Sequence, residues 1–81
     1  MAEDDIFERI GALVDEEHRL REGTERGQVD PATEQDRLRT IERRLDQCWD
    51  LLRQRRARQE FGADPDAAQP RPAHEVQNYR Q

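Results

Sequence analysis

The sequence predicts an all-α protein: a two-helix antiparallel coiled-coil hairpin with an irregular C-terminal tail, a shape that pairs naturally into a four-helix bundle. Three observations carry this. Leu38, Ile41, Leu45, Cys48 and Leu52 recur at intervals of three and four residues, a heptad seam down one long helix. Ile6, Ile10, Leu13 and Leu20, with Glu17 between the last two, repeat that spacing earlier in the chain. A short Gly- and Pro-marked connection separates the two runs, which makes the helices antiparallel neighbours.

The first helix is expected over about residues 4–26. Asp4 or Asp5 suits its start, and Asp5 with Glu8 makes a capping-box-like pair beside the positive end of the helix dipole. Gly27 suits its end, where a left-handed cap favours glycine, and Gly23 is expected to fray the last turn. Asp30 and Pro31 then form an N-cap followed by a proline in the first helical position. The second helix is expected over about 31–61, stopped by Gly62, so that residues 1–62 form the hairpin. Ala63-Asp64-Pro65-Asp66 reads as a turn. Residues 63–81 read as a mobile tail, extended around Pro70 and Pro72, with a short helix near 73–79 carrying Val76 and Tyr79.

The two seams fix a register. Leu20 faces Leu38, Leu13 faces Leu45, Ile10 faces Cys48 and Ile6 faces Leu52, so each pair of residue numbers adds to 58. Glu17 falls opposite Ile41, and a carboxylate there is expected to reach sideways to Arg37 or Arg44, because an unpaired buried charge is costly. Phe7, Val14, Trp49 and Leu51 lie beside the seam. They make the candidate interaction surface, to be covered by the tail, by a second copy or by a partner helix.

Composition narrows the function classes. The chain has 81 residues, 41% charged and 32% hydrophobic, with a formal charge of −5. That is one small domain with a marginal core. Residues 1–30 are net −6 and residues 31–60 net +2, as suits two helices that pair. The acidic balance disfavours general nucleic-acid binding. One cysteine excludes an internal disulfide framework, and with no signal peptide it fits the cytoplasm. No apolar stretch approaches 18 residues, so no membrane span is expected.

The run Leu45–Ala57 (LDQCWDLLRQRRA) resembles the domain-of-unknown-function 2630 family of short bacterial proteins. The resemblance extends to the run from Leu13 to His18, to Asp64-Pro65-Asp66, and to Arg71-Pro72 with Val76, Tyr79 and Gln81. It implies a helical hairpin with an irregular tail and brings no activity with it.

Four groups of residues have the types and spacings that chemistry would need. Asp15 and His18, with Glu22 one turn on, have the spacing of a carboxylate-histidine ligand pair, but no second motif matches it on the other helix. The reading is a solvated helix face, with no metal or cofactor. Cys48 sits in the seam, where cysteine behaves as a small hydrophobe, and His18 is about 12 Å along the axis, too far to activate it. Arg53, Arg55, Arg56 and Arg58 form a candidate anion or nucleic-acid patch beside Trp49. The alternative is that they suit the helix C-terminus and pair with Glu3, Asp4 and Asp5. Val76 and Tyr79 are candidates for tail docking. The expected function is a non-enzymatic interaction module that forms a homodimer or binds a partner helix. A nucleic-acid-associated protein is the alternative, and a di-iron metal protein the weaker one.

Overall fold

A computed structural model describes residues 2–78. It contains two long helices, α1 (Glu3–Glu25) and α2 (Pro31–Glu60), then a single 3-10 turn (Pro65–Ala67) and a short α3 (Ala73–Asn78). α1 begins earlier than the acidic residues suggested. Ala2 is its N-cap, and Asp5, three residues on, accepts a hydrogen bond from the Ala2 N–H at 3.3 Å. The carboxylate therefore closes the first turn from inside the helix. Asp30 caps α2, accepting from the Thr33 N–H at 3.2 Å with Pro31 behind it. Gly27 (φ 73°) and Gly62 (φ 71°) follow the two helix ends in the left-handed conformation that glycine adopts without strain.

Gly23 does not fray the end of α1. It is buried, its carbonyl accepts from both Gln28 N and Val29 N, and a Cβ placed there would lie 2.9 Å from Val29 Cγ2. The missing side chain lets the connection fold back onto the helix and seat Val29 against the core.

Six of the eight residues of the four layers belong to one apolar cluster, with Ile6 and Leu52 nearly solvent-free, and Leu38 and Leu45, partly covered, pack against it; Ile41, opposite Glu17, is buried in the same cluster. Arg56 reaches Glu3 at 3.8 Å across the helices, a pairing within one residue of the same register. Glu17 is a correction: it pairs with Arg21 on its own helix at 3.3 Å and stays half-exposed, because one turn along the helix is a shorter reach than crossing to Arg37 or Arg44.

Residues 63–78, expected as a tail with a short helix near 73–79, carry that helix as α3. They return along α2 as a strap. Asp64 caps the 3-10 turn through Asp66 N at 3.0 Å, Ala68 joins the core, and Val76 is 1% exposed. Tyr79, expected beside Val76, lies outside the described residues. The chain measures 51 × 27 × 14 Å. That is one layer of helices, where most domains pack two.

Candidate interaction surface

Helical geometry separates the four residues of the candidate surface. Residues 49 and 51 are two positions apart, about 200° around α2, so they flank the seam on opposite sides. Leu51 falls on the side the strap takes. It is 3% exposed and lines a cavity of about 80 Å³ with Ile6, Cys48, Arg9, Arg44, Gln47 and Pro70. Leu51 is therefore core rather than open surface. Phe7, Val14 and Trp49 remain 45%, 38% and 44% exposed. Phe7 and Val14 are seven residues apart on one stripe of α1, and the register sets Trp49 beside Phe7 on α2.

Gly11 completes that stripe, four residues after Phe7 and three before Val14. Sequence reading passed over it, since a lone glycine in a helix reads only as a weak point. A Cβ on Gly11 would meet nothing within 4 Å, so the stripe carries a dent between its two apolar side chains.

The strap is fastened by charge. Asp50, 1% exposed, accepts from Arg71 Nε at 2.9 Å and from Arg71 Nη2, and Gln54 Nε2 adds a third bond at 2.9 Å. The Arg71 hydrogen bonds hold the Asp50 carboxyl below its ordinary pKa, against the desolvation that would raise it. Gln47 donates to the Arg71 carbonyl at 3.2 Å and Gln54 to the Gln69 carbonyl at 2.9 Å. These amides satisfy the irregular backbone of the strap, which has no ladder of its own.

The arginine cluster does not form one patch. Arg55 is a correction: seven residues beyond Cys48, it continues the seam past the start of α1 and turns into the strap, where it is 9% exposed and bonds Asp66 at 2.8 Å. That bond lowers the Asp66 pKa. Arg56 goes to Glu3, and Arg53 approaches Asp50 at 4.0 Å. Arg58 is partly covered near the end of α2. Successive helical positions point about 100° apart, so these guanidiniums are distributed around the helix, and those of Arg53, Arg55 and Arg56 answer to carboxylates within the chain.

Asp15, His18 and Glu22 all lie on exposed positions of α1, and no group of three or more candidate metal ligands comes together among the described residues. Burial pushes the Cys48 thiol above its ordinary pKa, with the charge of Arg9 pulling the other way, so little thiolate forms at neutral pH. No helix among the described residues is long and apolar enough to cross a membrane.

A family described as "Protein of unknown function (DUF2630)" matches residues 2–81. An uncharacterised protein of Mycobacterium bovis and two uncharacterised proteins of Mycobacterium tuberculosis are each 51% identical over 70 residues, 86% of this chain and 80% of theirs. No solved structure matches.

Proposed function

The chain belongs to this family of unknown function, and we propose that it acts as a non-enzymatic helical interaction module that self-associates through Phe7, Val14 and Trp49. One observation carries the reading: three large apolar side chains, each more than a third exposed, fall by helical geometry on one side of the hairpin. A grouped apolar patch of this kind marks an interaction site more often than a scatter of single residues does. The shape supports it, because a slab one helix thick gains a second layer by pairing. The face two helices wide along α1 offers roughly 700 Å² from helix dimensions, near the ~800 Å² per partner of a standard interface.

Trp49 is the expected anchor. Sedimentation equilibrium across micromolar concentrations should return a dimer mass for the wild type. Trp49→Ala should weaken the dimer by about 2–4 kcal/mol, as for a buried aromatic at an interface centre. A monomer mass throughout that range refutes the reading.

A further inference from the structure

Gly11 is the residue that the chain's own packing does not explain. Alanine, or almost any straight-chain residue, would make α1 more stable at that position. Gly23 has its reason in Val29, but around Gly11 the space is open. We propose that a second copy, turned end for end, packs on this face with Phe7 of each copy seated over Gly11 of the other and the two Trp49 side chains at the two-fold axis. The proposal rests on the self-association read above and adds its register.

The register follows from the levels of the hairpin. Residues of α1 and α2 whose numbers add to 58 are level, and Glu3 with Arg56 keeps that relation to within one residue. Trp49 is thus level with Arg9. A two-fold axis crossing both helices at that level pairs residues of α1 with partner residues whose numbers add to 18, and residues of α2 with those adding to 98. Phe7 then meets Gly11, at about 3 Å of rise from the axis. Trp49 meets itself. Glu42 meets Arg56, each two turns from Trp49 and on the same stripe of α2. One axis therefore gives an aromatic ring a dent to fill, the largest exposed side chain a desolvated centre, and both rims a pair of opposite charges. A closed two-fold contact of this kind is self-complementary and ends the assembly at two copies.

The test combines a size change at Gly11 with charge reversal at the rims. Gly11→Gln should raise the melting temperature of the dilute monomer, by helix propensity, yet raise the dimer dissociation constant at least tenfold. Glu42→Arg and Arg56→Glu should each weaken the dimer about tenfold, and together they should restore it. Recovery in the double variant is a readout that loss of the Glu3–Arg56 pair within one chain cannot produce. If the wild type dimerises while Gly11→Gln leaves the dimer intact, or while the double reversal fails to restore it, this register is overturned and self-association stands. A monomeric wild type overturns both.

Discussion

Replacing Arg71 with alanine removes both guanidinium bonds to Asp50 and leaves a carboxylate 1% exposed with one amide donor, Gln54, and Arg53 at 4.0 Å. A buried charge that loses its partner costs about 3–5 kcal/mol while it stays buried. The strap sets a ceiling on that cost, because lifting it returns Asp50 to water. Burial of Val76 holds it down by about 1.5–3 kcal/mol. The two glutamine bonds to strap carbonyls add about 1 kcal/mol each. The Arg55–Asp66 bond and Ala68 anchor the start of the strap, while the loss matches the hold on the part that follows, so in Arg71→Ala that part should open while the hairpin persists. Native-state hydrogen exchange reads this directly. The amide of Val76, which donates to the Pro72 carbonyl, should lose about two decades of protection, the equivalent of roughly 2.8 kcal/mol at 1.4 kcal/mol per decade. Amides in the middle of α1 and α2 should keep theirs. Unchanged protection at Val76 would refute the ion-pair account. Equal losses in the strap and both helices would refute the separability of the strap.

Acid should open the same strap. The folded-state pKa values of Asp50 and Asp66 are depressed, so their contribution is complete above the ordinary aspartate value of about 3.9 and is lost as pH falls through the lower folded values. Val76 protection that stays flat down to pH 2 would contradict it. Leu13→Asp places a carboxylate at an 8% exposed seam position and should unfold the hairpin by circular dichroism. Leu45→Asp, at the partly covered position opposite, should cost less, and the reverse order would count against the register. Gly23→Ala should lower the melting temperature despite the better helix former, because the new methyl meets Val29 at 2.9 Å, and adding Val29→Ala should recover most of the loss.

The hairpin was legible because its signals are local and periodic. Seam residues three and four apart define a stripe, and Asp30-Pro31 is a helix start whatever surrounds it. The open surface was legible in Phe7, Val14 and Trp49, while Leu51 was grouped with them although its position, 200° from Trp49, places it on the other side of the seam. Arg55 could also have been read, since it continues the heptad from Cys48. The strap could not. Ala68 and Val76 have no periodicity that announces burial. Asp50 looks like any solvent-facing acid until Arg71, 21 residues later, arrives over it. Gly11 carried a signal that only the structure could sharpen: whether a mid-helix glycine is filling a tight contact or leaving a gap depends on what stands around it.

The cavity shared by Pro70 and Cys48 gives the chain its own gauge of that strap. A thiol 8% exposed is shielded from bulky alkylating reagents while the strap is closed. Its modification rate, divided by the rate for the same thiol in the denatured chain, reads the fraction of time the thiol is uncovered, and the difference between wild type and Arg71→Ala assigns the part that belongs to the strap. A single cysteine makes the reading unambiguous. The population of an open 16-residue strap can thus be read without a dye or a tag.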